Sequence, residues 1–326
     1  MADELPRITN VYNGKSVGEL SAVVISPPPL VEEAMKKNGV AFVNRPEVLM
    51  SKAIFYNSVD PGSSKYDEYW RQMRKLFILE LLSSKKVHSF NALMEEEVSR
   101  LLSYIRYSEG LPINVSENVA SDQESITRLA KETASFDGEL FTAGTDTSAT
   151  VIKWAMAELM KNPRVMKKAQ SEVRQAFKGK ENFTDFDIRK LNYLNMKLRE
   201  KCTIDGYDIL VNTITLVNAW SIGRDPKYWH NPESFEPERF SNSSVHYIGN
   251  HYEYLPFGAG RRVCPGITFG VATVELVLAK LLYYFDWKLP DGISLEEFDM
   301  IEKFGATAGK KNGLYLIPKS YIPSDG

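Results

Sequence analysis

The sequence predicts a mainly α-helical fold with a minor antiparallel β-sheet. Three observations carry that expectation. Apolar residues recur every three or four positions over long stretches, as one face of a helix requires. β-Branched runs are short and bounded by proline or glycine. The composition, 43% hydrophobic and 25% charged, is that of an ordinary globular protein and sets aside disordered, collagen-like and coiled-coil chains.

The elements follow in order. Leu20 to Ser26 is β-branched and stopped by Pro27, Pro28 and Pro29, which predicts a buried strand. Leu30 to Lys37 reads as a short helix, with proline near its first turn and Gly39 just past its end. From Lys65 to Tyr107 the pattern is helical, with Trp70, Met73, Phe77 and Leu81 at helical spacing and Glu95, Glu96 and Glu97 expected on a solvated face. A second helix runs from Glu139 to Lys161, its core face formed by Ile152, Ala155, Met156, Leu159 and Met160, and ends at Asn162 and Pro163. Val165 to Phe177 is a third. Thr184 reads as the N-cap of a helix ending near Glu200. Ile204 to Val211 is hairpin-like, and Thr213 to Asn218 passes from strand into helix. Asn231 to Asn250 is loop-rich, Val271 to Phe285 is a core helix, and Leu314 to Pro318 is a last strand.

The chain of 326 residues admits two domains, yet no composition shift marks a linker, so one domain over 1–326 is the simpler expectation. With 40 Lys+Arg against 42 Asp+Glu, the net charge of −2 gives no global electrostatic reason to expect nucleic acid. Cys202 and Cys264 are too few for a disulfide framework and fit a reducing compartment. The opening from Met1 to Arg7 is charged, with no apolar core after it, and Val271 to Phe285 is interrupted by Glu275 and Lys280. Neither a secretory signal nor a membrane span is expected. The histidines His88, His230, His246 and His251 lack metal-binding spacing and are expected on the surface or in loops; Lys167, Lys168, Lys310 and Lys311 are expected as solvated charge.

The most informative segment is Phe257 to Gly266, which leads into the apolar helix. Gly258, Gly260, Pro265 and Gly266 around one cysteine describe a tight loop whose amides can point at sulfur. Backbone amides, a helix N-terminus and a metal all lower a thiol pKa, and the thiolate is the form that ligates iron. Arg262 can pair with a carboxylate, and Phe257 can shield a polarisable metal–sulfur bond. The loop reads as a haem-thiolate site. The blander readings are a phosphate-binding glycine loop, though Val263 stands where a dinucleotide fingerprint wants its third glycine, and a buried structural cysteine.

Phe257, Gly260, Arg262, Cys264 and Gly266 in this spacing resemble the haem-binding signature of the cytochrome P450 superfamily of haem-thiolate monooxygenases. Trp70 to Lys75 and Ala143 to Ala149 resemble the plant microsomal members, in particular the terpenoid-oxygenase-like group. The resemblance covers about Gly18 to Pro318, in pieces. It implies haem b (iron protoporphyrin IX), held by Cys264 as axial ligand, with Trp70, Arg74 and Arg262 at the propionates. It also implies an oxygen-activation motif at Ala143, Gly144, Asp146 and Thr147, in which acid and alcohol form a proton-delivery pair. Thr145 and Ser148 read equally well as ordinary polar-face residues. Arg239, in Phe235 to Phe240, and Glu200 resemble two members of a Glu-Arg-Arg scaffold triad.

The sequence departs from that pattern in places. Thr203 stands where the triad's central arginine belongs, and a segment after Glu200 is absent. Between about 136 and 139, from Phe136 to Glu139, the chain passes straight to the oxygen-binding helix, without the helices that roof the substrate pocket. The resemblance starts after the membrane anchor and proline-rich hinge with which such enzymes begin, so neither is expected in this sequence. The expectation is an incomplete, shortened P450-like fold, by family an oxygenase of lipophilic small molecules on the cytosolic face of the endoplasmic reticulum, with electrons from NADPH through NADPH–cytochrome P450 reductase. The alternative is an inactive remnant of such an enzyme. Phe42 to Val59, with Met50, Ile54 and Phe55, suits either a hydrophobic substrate or plain core packing.

Overall fold

The computed structural model describes residues 8–10, 22–45, 60–121, 125, 139–178, 214–241, 243–303 and 307–322. The expected helix from Thr184 to Glu200, the Ile204 to Val211 turn, Cys202, and Met50, Ile54 and Phe55 lie outside them. The chain packs as two compact units, Met1–Leu76 with Tyr193–Ile267, and Phe77–Asn192 with Thr268–Gly326.

In the first unit, strand β2 (Ala22–Ile25) pairs antiparallel with β1 (Ile8–Asn10) and parallel with β4 (Ile214–Val217), the latter in the register Ala22 with Ile214 to Ile25 with Val217. Pro28 and Pro29 open helix α1 (Pro28–Glu32), where their missing N–H groups cost nothing. A π-helical turn, Glu33–Lys37, continues it to Asn38, whose N–H donates to the Glu33 carbonyl at 3.0 Å. A Cβ at Gly39 would run into the Met35 carbonyl, so the turn ends there on glycine. Helix α2 (Glu68–Leu76) lies in the same unit, as does the short helix α7 (Ala219–Ile222). The core joins Ile25, Leu30, Val31, Ala34, Ile222 and Tyr252 to Ala259, which comes from the cysteine loop.

In the second unit, a π turn (Phe77–Leu81), α3 (Ser84–Ser89) and α4 (Asn91–Tyr107) precede the long α5 (Glu139–Lys161) and α6 (Pro163–Ala176). Helix α5 buries Ile152, Met156, Leu159 and Met160, the face expected from its periodicity. Helix α8 (Ile267–Tyr284) is apolar nearly all round, as a helix enclosed by protein must be, and buries Phe269, Leu276, Val277 and Leu281. At 18 residues and mean hydropathy 1.5 it has the length and composition of a membrane span, yet most of it is packed inside the protein. Strands β3 (Ile113–Asn114), β8 (Tyr315–Ser320) and β5 (Phe285–Lys288) form an antiparallel sheet in the order β3-β8-β5. A small hairpin pairs β6 (Glu302–Lys303) with β7 (Gly309–Lys310).

Several expectations need correction. The stretch from Lys65 to Tyr107 is helical over most of its length, as its pattern predicts, but in pieces: the π turn Phe77–Leu81 continues α2 directly, the helix breaks at 82–83, and Ser83 starts a new one by accepting the Lys86 N–H at 3.3 Å. Glu95, Glu96 and Glu97 do not form a solvated face. Glu97 is buried and bonds Arg100 at 2.5 Å, and Glu95 accepts from Lys280, whose side chain is wholly enclosed. Lys310 is not solvated: its side chain is 3% exposed and reaches Asp299 at 2.9 Å. The Asp299 carboxyl is held down to about 2, first by that hydrogen bond and then by the Ile301 N–H. His246 lies in a loop but is buried, against the Tyr247 ring. The sheet is not antiparallel throughout, because β2 and β4 are distant in sequence and no hairpin dictates their sense.

Candidate active site

In the first unit, the cysteine loop is a closed backbone turn. The Cys264 N–H donates to the Phe257 carbonyl at 2.9 Å, and Gly258 N–H to the Leu255 carbonyl at 3.1 Å. Gly258 and Gly260 hold φ of +69° and +67°, a region that side chains with a Cβ rarely enter. Gly260 is doubly constrained, because a Cβ there would also stand 2.7 Å from the Met35 carbonyl oxygen. A Cβ at Gly266 would come to 3.8 Å from the Cys264 sulfur, ordinary van der Waals contact, which places this glycine directly beside the thiol. Cys264 is free and partly exposed, and Phe257 packs edge-on against Tyr247 with centroids 5.8 Å apart.

Trp70, Arg74 and Arg262, separated by up to 192 positions in sequence terms but expected to work together, form one cluster in this unit.

 The Trp70 ring is buried against the two guanidinium groups, with Arg262 at 4.6 Å and Arg74 at 5.8 Å from its centroid. Its indole N–H donates to the Pro61 carbonyl at 2.9 Å. Arg262 donates to three main-chain carbonyls, Val43 at 2.6 Å, Pro61 at 3.3 Å and Ser64 at 2.5 Å. Arg74 donates to the Val263 carbonyl, next to the cysteine. Arg262 thus pins the loop to Val43 and to the segment 61–64, and Arg74 pins it to α2. Burial, then the like charges of Arg45 and Arg74, push Arg262 down to about 10, against the opposing pull of Asp60 and Asp67. Burial also lowers Arg74, with Cys264 pulling the other way. The cluster carries more positive charge than its acids balance.

In the second unit, helix α5 carries Ala143, Gly144, Asp146 and Thr147. Thr147 donates its hydroxyl to the Ala143 carbonyl one turn back. Asp146 accepts from the Thr307 hydroxyl at 2.6 Å. Neighbours in sequence point to different sides of a helix, and each of the expected acid and alcohol pair has its own partner. Both are exposed; Gly144 and Thr145 are half-buried, and Ser148 is buried. Burial lowers the Lys153 pKa, and the Asp146 charge opposes that shift.

Arg239 holds the loop around it, donating to the carbonyls of Asn231 at 2.9 Å, Ser234 at 2.6 Å and Glu236 at 3.1 Å. Glu200 lies outside the described residues. Sequence reasoning missed Thr307, which no motif flags, and the carbonyls that receive Arg262. The second set had a visible signal: Asp60, Pro61, Gly62 and Ser63 spell a turn, and Asp60 indeed caps the N–H groups of Gly62 at 2.7 Å and Ser63 at 2.8 Å. Among the described residues, no cluster of three or more His, Cys, Asp or Glu is placed to hold a metal ion.

The cytochrome P450 family model matches residues 14–121, 119–202 and 197–314. The chain belongs to the cytochrome P450 family. This P450 stands with the plant terpenoid-oxygenase group. It is 34% identical to premnaspirodiene oxygenase of Hyoscyamus muticus, over 94% of this chain and 86% of that one. It is 36% identical to germacrene A hydroxylase of Barnadesia spinosa, over 94% of this chain and 84% of that one. The first of these alignments runs to 429 residues against a chain of 326, so a substantial part of the relative stands opposite gaps. Among solved structures, a zebrafish cytochrome P450 with abiraterone superposes with a TM-score of 0.80 at 18% identity, covering 98% of this chain and 96% of that one, which shows the fold.

Haem is the family's prosthetic group, and the residues present fit it. The loop offers one free thiol, the donor that haem-thiolate iron takes. The arginine cluster has unbalanced positive charge suited to carboxylates.

Proposed function

We propose that this P450 inserts one atom of O2 into a lipophilic, terpenoid-like small molecule, with NADPH as the source of electrons through NADPH–cytochrome P450 reductase. The balance is substrate, O2, NADPH and a proton giving hydroxylated substrate, water and NADP+. The single observation behind this reading is the cysteine loop: a free thiol on a turn closed by the Cys264 N–H and shaped by two left-handed glycines. Haem, when bound, supplies the redox centre at which O2 is activated.

The chain's own residues do the rest. Cys264 would hold the iron as thiolate, with Phe257, Gly260 and Gly266 shaping the loop around it. Trp70, Arg74 and Arg262 would face the two propionate carboxylates while Arg262 keeps the loop tied through its backbone contacts. On α5, Gly144 and Ala143 thin the helix, and the Asp146 carboxylate and the Thr147 hydroxyl pass protons. Arg239, with Glu200, would serve as scaffold. By family the protein would work on the cytosolic face of the endoplasmic reticulum; the segments absent around 136–139 and after Glu200 would border the substrate.

The test is the carbon-monoxide difference spectrum of the reduced, haem-supplied protein. A thiolate-type Soret shift is expected, and Cys264→Ala should abolish it. No shift in the wild-type protein would remove the assignment. A second reading, a remnant that does not retain haem, is favoured by the relative's residues that stand opposite gaps.

A further inference from the structure

From the contact that Asp146 makes, we infer that Thr307, two residues before β7, is a positioning residue for the oxygen-activation helix: it fixes the Asp146 carboxylate for proton transfer. The inference rests on the monooxygenase reading above and names a residue that none of the motifs contains. Thr307 Oγ1 donates to Asp146 Oδ2 at 2.6 Å, a short contact of the charge-assisted kind. Among the described residues it is the one hydrogen-bond donor to that carboxylate. Two turns along the same helix, the Trp154 indole N–H donates to the Ala308 carbonyl at 2.7 Å. Two side chains of α5 therefore grip consecutive residues of one short segment. The segment itself is set by the β6–β7 hairpin, where Lys303 pairs with Gly309, and by Gly309 N–H donating to the Thr307 carbonyl at 2.9 Å.

An exposed aspartate on a helix samples several rotamers, whereas proton transfer needs its acceptor oxygen at a set place. The Thr307 hydroxyl occupies Oδ2 and selects one rotamer, leaving Oδ1 for water. Lys153, seven residues on, shares this side of the helix and adds an attractive charge, but makes no hydrogen bond to the carboxylate that could hold it. Thr147 cannot take over the role, because its hydroxyl is turned back to the Ala143 carbonyl.

Two measurements test this. The first needs no haem: a double-mutant cycle of urea-unfolding midpoints with Thr307→Val, Asp146→Asn and both. Non-additive shifts are expected, since each single change breaks the same contact, and additive shifts would overturn the proposal. The second uses the haem-loaded protein with its reductase and NADPH, without added substrate, and reads the share of electrons that ends in hydrogen peroxide (two electrons and two protons per O2) and not in water (four of each). Thr307→Val should raise the peroxide share severalfold, and Thr307→Ser, which keeps the hydroxyl, should restore it. A valine variant with the wild-type partition, or a serine variant no better than valine, would overturn the positioning role alone. A wild-type protein without the thiolate Soret shift would overturn the monooxygenase reading, and the positioning role with it.

Discussion

Arg262 belongs to the haem signature by its spacing, yet its geometry gives it a second task. Three of its N–H groups end on the carbonyls of Val43, Pro61 and Ser64, and its face lies on Trp70. A guanidinium satisfies that arrangement because its donors are fixed in one plane; an ammonium is a point charge on a flexible stem and cannot reach all three. Arg262→Lys should therefore cost on the order of 2 kcal/mol of stability although the charge is kept, as read by urea unfolding followed through tryptophan fluorescence. An unchanged midpoint would mean that the carbonyl contacts contribute nothing net. The signature residues were legible because glycine, cysteine and arginine occur at fixed separations. The carbonyls they meet were not, since every residue carries one and only the folded chain selects which is used.

At the scale of elements, α8 shows how a sequence pattern can be read correctly in kind and incompletely in detail. Its apolar run identifies a core helix, and the structure buries it. Lys280 reads in the sequence as an interruption; in the fold its fully enclosed ammonium is paired with Glu95 of α4, which retains some exposure. Both ends of the contact are buried: the ammonium has no access to water, and the carboxylate's Oε1 is itself enclosed. Glu95→Gln and Lys280→Met should each cost stability, and the double variant should cost less than the two losses added together. Thermal unfolding of the three proteins checks this, and a double loss equal to the sum of the single losses would contradict it. Helices α5 and α6 were legible nearly to the residue because Pro163 separates two periodic segments. The run from Lys65 to Tyr107 was legible as helical but not its internal breaks, since short helices on either side of a turn keep much the same apolar spacing.

For the whole molecule, the question is whether a chain so much shorter than its alignments to relatives holds its prosthetic group. A ligand that binds only the native state stabilises it by mass action, so haem in excess should slow limited proteolysis if Cys264 and the arginine cluster bind it. Identical digestion with and without haem would favour the remnant. The parallel pairing of β2 with β4 shows what is decided at this scale: two short strands, Ala22–Ile25 and Ile214–Val217, are each recognisable, but nothing local sets their mutual sense. The sequence by itself determined the family, the helix-rich class, the long helices and the cysteine loop, because these rest on periodicity and on residue types at short fixed spacings. Only the tertiary structure decided that Arg262 is held by main-chain carbonyls, that Lys280 is paired with Glu95, and that Asp146 answers to Thr307. Each of those contacts joins residues far apart along the chain, and local preference carries no information about which distant partner a side chain will meet.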